Sequence, residues 1–225
     1  MPNIRQLRAL AANGFGTAQV ELGLCYAEGK GVAQNSAEAV KWFQLAATEY
    51  GSPTAQILLA QCYEAGIGVR QDSVMAAKWY LAAAQEGLVE AQYQIGLCYG
   101  SGMGVPENLS EAFTWFRAAA DKGHAGAQYA VAMCYAHGRG IPSKNMSEAA
   151  KWYRMAAEQG HSEASAELGI LYIQGDGVEQ NLEEGIKWGK RAEATKPIQP
   201  TASGCFGLVI MFVLAASICV SLTTS

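Results

Sequence analysis

The sequence is poor in charge and has no run of basic residues. Its 225 residues carry 16 Lys and Arg against 20 Asp and Glu, mixed along the chain, for a net charge of −4. Proteins that bind phosphate backbones or heparin depend on clustered Lys and Arg, so we expect no nucleic-acid partner. The first 12 residues also lack the apolar core of a secretory signal, and we expect no cleavable leader.

The six cysteines lack the paired spacing of zinc ligands. Four of them occupy the same position in successive units of the chain, directly before a tyrosine, and a fifth unit has Leu171 there: Cys25, Cys62, Cys98 and Cys134. A position that accepts leucine is typical of packing, and free cysteine packs as a small hydrophobe. Corresponding positions one unit apart would lie about 9 to 10 Å apart, beyond the Cα separation of about 7 Å that a disulfide allows.

Sequence patterns of catalytic and cofactor sites are also missing. No Gly-x-Gly pair extends to the Gly-x-Gly-x-x-Gly of a nucleotide loop, and no Ser-x-x-Lys occurs with Ser-Asp-Asn or Lys-Thr-Gly. The three histidines, His124, His137 and His161, are expected on loops and in solvent. We therefore expect a non-catalytic protein without metal, cofactor or small-molecule substrate. A hydrolase of the β-lactamase type is the weakest alternative.

A period of 36 to 37 residues runs through the chain. A tyrosine, a Gly-x-Gly pair and a tryptophan recur in that order at this interval. The tryptophans are Trp42, Trp79, Trp115, Trp152 and Trp188. Such a period marks a repeat array. Arrays present extended surfaces rather than pockets, which favours binding over catalysis.

Each unit is predicted to be a helical hairpin made of helix A, a glycine turn, helix B and a short connection. Helix A of the third unit has Ala91, Ile95 and Cys98 on one face, and Gly102 follows as the residue that ends the helix. Helix B is predicted to begin at a serine cap, namely Ser36, Ser73, Ser110 and Ser147. The predicted units are residues 16–51, 52–87, 88–124, 125–161 and 162–195, after an N-terminal capping helix within residues 1–15. The fold class is therefore all-α, an α/α solenoid.

These motifs resemble the Sel1-like repeat family, an α-solenoid related to tetratricopeptide repeats. The resemblance covers about residues 4–195 and rests on Ala-x-x-x-Leu-Gly-x-x-Tyr in helix A, Gly-x-Gly-Val in the turn and Ala-x-x-Trp-Tyr-x-x-Ala-Ala-x-x-Gly in helix B. In the first unit the matching residues are Ala18, Leu22, Gly23, Tyr26, Gly29, Gly31, Val32, Ala39, Trp42, Phe43, Ala46, Ala47 and Gly51. The resemblance implies an adaptor that holds other proteins in complexes, including signalling and membrane-protein quality-control assemblies.

The relationship to tetratricopeptide arrays implies a concave binding face lined by helix-A residues outside the packing motif. Two slots of helix A meet that condition. The first contains Val20, Ile57, Tyr93, Tyr129 and Ala166, and the second contains Leu24, Gln61, Leu97, Met133 and Ile170. The predicted protein-binding site consists of Leu24, Gln61, Tyr93, Leu97, Tyr129, Met133 and Ile170, since aromatic residues and methionine are typical of interaction surfaces. Packing within the repeat is the alternative, above all for the tyrosines. An acidic rim is predicted at Glu28, Glu64, Glu90 and Glu163.

The C-terminal segment differs from the repeats. A predicted linker at residues 196–204 contains Pro197 and Pro200, and residues 205–222, from Cys205 to Leu222, contain no charge. These 18 residues are long enough for a membrane-spanning helix. The cations lie on the N-terminal side of the segment, which favours cytoplasmic repeats: Lys187, Lys190, Arg191 and Lys196. We predict a single-pass tail anchor. The alternatives are a final packed helix and a signal removed when a lipid anchor is added near Ser203.

The predicted function is a scaffold that gathers a protein partner in the solenoid groove at the cytoplasmic face of a membrane. The alternative is a lumenal or periplasmic component of membrane-protein quality control or signalling. Asn108 and Asn145 begin glycosylation sequons that would matter only in a lumen. Capping of helix B is the simpler interpretation of both.

Overall fold

The computed structural model describes residues 3–195, and every regular element in that range is an α-helix. The helices are α1 (Ile4–Ala12), α2 (Gly16–Glu28), α3 (Ser36–Glu49), α4 (Pro53–Ala65), α5 (Ser73–Gln85), α6 (Val89–Ser101), α7 (Leu109–Asp121), α8 (Ala125–His137), α9 (Met146–Glu158), α10 (Ser162–Gln174) and α11 (Leu182–Thr195). The A helices are α2, α4, α6, α8 and α10, and the B helices are α3, α5, α7, α9 and α11. Each helix packs mainly against its neighbours in the chain. The predicted all-α solenoid is confirmed for this range.

The predicted linker at residues 196–204 and the predicted membrane segment at residues 205–222 lie outside the described residues. The chain divides into two units, residues 1–195 and 196–225, and the first contains the solenoid. Within residues 3–195, no helix is both long and apolar enough to cross a membrane.

Each B helix begins at an Asn or Asp cap, which in the first four units takes the place of the predicted serine. The Asn35 side-chain oxygen accepts a hydrogen bond from the Glu38 N–H at 3.1 Å. Asp72, Asn108 and Asn145 are the corresponding caps in the next three units. In the fifth unit the cap is Asn181, whose side-chain oxygen accepts from the Glu184 N–H. The prediction for Ser36, Ser73, Ser110 and Ser147 was wrong by one or two residues, because these serines already lie in the first helical turn. The preceding Asn or Asp has an extended backbone, from which its side-chain oxygen reaches the free N–H groups.

The Gly-x-Gly turn ends helix A and also contacts the preceding unit. Gly66 ends α4 in the left-handed conformation, with φ of +70°. Gly68 lies so close to the start of α3 that an added Cβ would be 2.3 Å from the Ser36 carbonyl oxygen. The same approach to the preceding B helix is made by Gly104, Gly140 and Gly177. The second glycine therefore allows successive units to meet backbone to backbone.

Within a unit, helix B places a ring over a small residue of helix A. A Cβ added at Gly23 would lie 2.4 Å from a Phe43 ring carbon, and one added at Gly96 would lie 2.6 Å from Phe116. Units two and four have alanine and tyrosine in these slots, all buried: Ala60, Tyr80, Ala132 and Tyr153. The close contact explains why helix A keeps a small residue there.

The four repeat cysteines pack as predicted. Cys62 and Cys98 are buried, Cys25 and Cys134 are partly buried, and all four are free thiols. Burial raises the pKa of Cys62, Cys98 and Cys134 to about 11, which keeps them protonated at neutral pH. They therefore serve as core side chains rather than as reactive groups.

A buried glutamine of helix A bonds a unit to the unit before it. The Gln128 amide donates to the Ala120 carbonyl at 3.3 Å, and its oxygen accepts from the Gln159 amide at 2.7 Å. Gln19 and Gln92 donate in the same way to the end of the preceding helix. Loss of such a buried bond costs about 1 to 3 kcal/mol when a partner is left unsatisfied, so these bonds favour one fixed arrangement of neighbouring units.

The fifth unit departs from the other four. Gly189 occupies the ring slot, and a Cβ added there would have nothing within 4 Å. Gly169 and Gly185 bring α10 and α11 close together, since a Cβ at Gly169 would lie 2.9 Å from the Gly185 carbonyl oxygen. Ile186 is 55% exposed in a slot that is buried in other units, as at Val40, Ala77 and Ala150. The outer surface of α11 thus differs from the surfaces that join successive units.

Candidate functional site

The second slot of helix A forms a row along the solenoid, which we call the A-row. It consists of Leu24, Gln61, Leu97, Met133 and Ile170, each the ninth residue of its helix. Leu97 is 38% exposed and Ile170 is 44% exposed, while the other three are half-buried. The A-row is therefore substantially exposed in the third and fifth units and half-buried in the other three, and its role in binding stays a prediction.

The predicted site residues Tyr93 and Tyr129 lie in the junctions between units instead of standing free on the surface. The Tyr93 ring is 5.9 Å from Phe116 and 4.6 Å from His124, measured between centroids. Tyr129 repeats this arrangement with Tyr153 at 5.8 Å and with the imidazole of the following loop at 4.6 Å. Both tyrosines are half-buried. The structure thus brings them beside the A-row but gives them a packing role.

His124 and His161 are helix caps, which the sequence analysis missed. Each accepts a hydrogen bond through Nδ1 from a backbone N–H in the first turn of the following A helix, Ala127 at 3.0 Å and Ala164 at 3.3 Å. The expectation of solvated loop residues was wrong for both, because their side chains are only about one-fifth exposed and each ring packs on a tyrosine ring. Their recurrence 37 residues apart, directly before helix A, was the signal that could have revealed this.

The acidic residues predicted as a rim are bonded to other side chains. Glu64 accepts a hydrogen bond from the Tyr80 hydroxyl at 2.7 Å, and Glu28 pairs with Lys30 at 2.5 Å. Glu90 lies 3.2 Å from His124 Nε2 and also accepts from the Gln94 amide. Glu163 accepts a hydrogen bond from the Ser162 hydroxyl at 2.9 Å. All four predicted rim residues therefore serve as partners within the solenoid, and their role as an acidic rim stays a prediction.

Negative charge nevertheless accompanies the A-row near its C-terminal end. Burial raises the pKa of the Tyr129 hydroxyl, and the carboxylates of Glu167 and Glu163 raise it further. Glu163 keeps a 67% exposed side chain, and Glu167 is half-buried. An apolar row beside two carboxylates therefore marks this end of the A-helix surface.

Cavities and polar clusters do not add a second site in the described range. Among residues 3–195, no group of three or more His, Cys, Asp or Glu could hold a metal ion. One surface depression of about 600 Å³ is lined by Tyr63 and residues 69–73. Another of about 640 Å³ is lined by residues 107–110 and 140–142. Both lie beside loops, and neither includes an A-row residue.

Comparison with protein families identifies the repeat. The Sel1 repeat profile matches residues 16–49, 53–88, 89–124, 125–161 and 162–194. The five matches together cover more than half of the chain. A search of the curated proteins gave no match.

Two solved structures resemble the solenoid closely. The c5321 protein, a protective antigen of uropathogenic Escherichia coli with an SLR fold, is 35% identical over 87% of this chain, with a TM-score of 0.83. The chain spans only 41% of the length of that protein. A Sel1 repeat protein from Oxalobacter formigenes is 31% identical, with a TM-score of 0.81, and the match covers 86% of this chain and 79% of that protein.

Proposed function

We propose that this chain, which belongs to the Sel1 repeat family, is a scaffold that binds a protein segment along the A-row. Sel1 repeat proteins typically mediate protein–protein interactions. The observation that carries the proposal is the exposure of Leu97 and Ile170 at a helix position that recurs in every unit. Because the A helices follow one another along the solenoid, a single partner segment can contact several of them.

The composition of the A-row favours the three C-terminal units as the centre of binding. Leu97, Met133 and Ile170 are apolar there, and methionine adapts to partners of different shape. Gln61 adds a polar group in the second unit. Each A-row residue lies on a different A helix, so one extended segment can meet several of them in succession.

The carboxylates near Tyr129 indicate the charge of the partner. The Glu167 and Glu163 carboxylates lie close enough to Tyr129 to raise the pKa of its hydroxyl, so negative charge lies beside the apolar residues. A segment with apolar residues followed by Lys or Arg would match both features, since opposite charges at the rim steer association and help to exclude wrong partners. We therefore propose a partner segment that is apolar with basic residues at one end.

A displayed library of random peptides tests this site. Peptides selected on the wild-type chain should be apolar and basic, and their affinity should fall about tenfold or more in Leu97→Glu and Ile170→Glu. Val74→Glu is the matched control, because Val74 is 62% exposed on α5 and lies outside the A-row. Equal losses in all three variants, or unchanged binding in the A-row variants, would refute the proposal.

We also propose that residues 205–222 anchor the chain in a membrane. The support for this anchor is a run of 18 residues without charge, which meets the length needed to span a bilayer. The preceding cations support a cytoplasmic position for the repeats. An enzyme is not proposed, since the family is generally a non-catalytic interaction scaffold.

Protease treatment of sealed membranes tests this extension with an N-terminally tagged chain. Loss of the tag without detergent is the expected result for cytoplasmic repeats. Full protection would instead place the repeats in a lumen and make the sequons at Asn108 and Asn145 available to glycosylation. Recovery of the chain from the soluble fraction would contradict the membrane segment.

A further inference from the structure

Two consecutive junctions of the solenoid are closed by the same pair of rings. At the first, His124, which caps α8 of unit four, packs on Tyr93 of unit three with centroids 4.6 Å apart and ring planes tilted by 30°. Its Nδ1 accepts the Ala127 N–H at 3.0 Å, and its Nε2 lies 3.2 Å from a Glu90 carboxylate oxygen. A neutral imidazole that accepts through Nδ1 carries its proton on Nε2. This histidine therefore caps α8 only while its Nδ1 carries no proton.

The second junction repeats the arrangement one unit later. His161 stacks on Tyr129 at 4.6 Å, and its Nδ1 accepts the Ala164 N–H at 3.3 Å. A Glu163 carboxylate oxygen also lies 3.3 Å from the same Nδ1. Corresponding cap positions in earlier units hold Ser52, which does not titrate in this range, and Leu88, which makes no side-chain cap bond. The histidine junction is therefore confined to the C-terminal part of the described solenoid.

We infer that His124 and His161 form a pH-sensitive link between units three, four and five. In mild acid a proton from solvent adds to the Nδ1 lone pair, and the nitrogen becomes a donor. It can then no longer accept the backbone N–H, so the cap of α8 or α10 is lost. The positive end of the helix dipole opposes the new charge. At the second junction, the protonated Nδ1 donates a hydrogen bond to the Glu163 carboxylate instead.

Charged and titratable groups face both rings. Glu90 and Tyr93 of α6 face His124, and Lys122 in the same loop is held by its bond to the Gly87 carbonyl. The groups around His161 are Tyr129 of α8, Glu163 of α10 and His124.

The pKa of His161 indicates the sign of the effect. Burial lowers this pKa, Glu163 opposes the shift, and His124 adds to it. The neutral imidazole is therefore favoured in the folded state. Its contribution to stability is complete above the ordinary histidine pKa of about 6.5 and is lost as the pH falls below that value through the folded pKa.

Thermal unfolding of the full chain at about pH 7.5 and pH 5.0 tests the inference. The wild-type midpoint should fall by about 2 to 4 °C for each cap that is lost. The double variant His124→Asn and His161→Asn should have a markedly smaller fall, because asparagine caps a helix well and does not titrate. For each protein the measured quantity is the difference between its unfolding midpoints at the two pH values. A variant that is less stable at both pH values, because its tyrosine contacts are lost, can therefore still be compared with the wild type.

The third histidine provides the matched control. His137 is exposed at the end of α8. The unfolding midpoint of His137→Asn should therefore fall as much as that of the wild type when the pH is lowered. Amide resonances of Ala127 and Ala164 should also shift with the histidine titration in the wild-type chain. An equal fall in the double variant, or amide resonances that do not follow the histidines, would overturn the inference. None of these readouts depends on the proposed binding of a partner.

Discussion

The turns that follow the A helices and the loops that precede them join the same units in different ways. At the turns, the second glycine contacts the preceding B helix through its backbone, and four units repeat this contact. At the loops, the residue before helix A changes from unit to unit: Phe15, Ser52, Leu88, His124 and His161. A backbone contact leaves no room for a side chain, whereas a junction made by side chains can vary. The loops and the A-row are therefore where this solenoid acquires properties of its own.

Substitution of a turn glycine should produce the largest effect. A Cβ at Gly104 would lie 1.9 Å from the Ser73 carbonyl oxygen, and the residue has φ of +75°. We expect Gly104→Ala to lower the free energy of unfolding by about 3 kcal/mol, from the clash together with the left-handed backbone. Urea unfolding followed by circular dichroism measures the loss.

A loop glycine gives the matched comparison for the turn. Gly123 has φ of +91°, but a Cβ there would meet nothing within 4 Å. Gly123→Ala should therefore lose only about 1 kcal/mol, the cost of the backbone conformation. If the two variants lost the same free energy, the turns and loops would not differ in the way the contacts indicate.

Removal of a junction tyrosine should have an intermediate effect. Tyr129→Ala deletes a half-buried ring that packs between Tyr153 and His161, and we expect a loss of about 2 kcal/mol. Ile170→Ala should change the free energy of unfolding by about 0.5 kcal/mol or less, since its side chain is substantially exposed. Urea titration of both variants separates packing from surface. An equal loss would mean that the A-row also belongs to the core.

The acid response of Glu90 should be the smallest effect. The hydrogen bond from His124 lowers the pKa of this carboxyl, burial opposes the shift, and the Gln94 bond adds to it. Its contribution is therefore present above the ordinary glutamate pKa and is lost as the pH falls through the lowered value. Between about pH 5 and pH 3, the urea midpoint of Glu90→Gln should fall slightly less than that of the wild type. The exposed Glu86 provides the control Glu86→Gln, which should follow the wild type.

The period of the sequence predicts the helices and turns well, because each slot recurs with the same residue type. Cys62 and Cys98 are examples, since their place on the inner face of helix A follows from the spacing. Contacts between units are harder to predict. Tyr93 and His124 lie 31 residues apart, and the contact between their rings depends on the rotation of one hairpin against the next. The prediction of the helix caps failed for a related reason. Asn35 and Ser36 are both good capping residues, and only the backbone conformation decides between them.

Because helix contacts lie mainly between chain neighbours, the described helices share a series of connected cores rather than one centre. Stability in such an array is a sum over units and the junctions between them. Damage at one junction therefore need not unfold the whole chain. It can release the units on one side as a block, while the units on the other side keep their own hairpins closed.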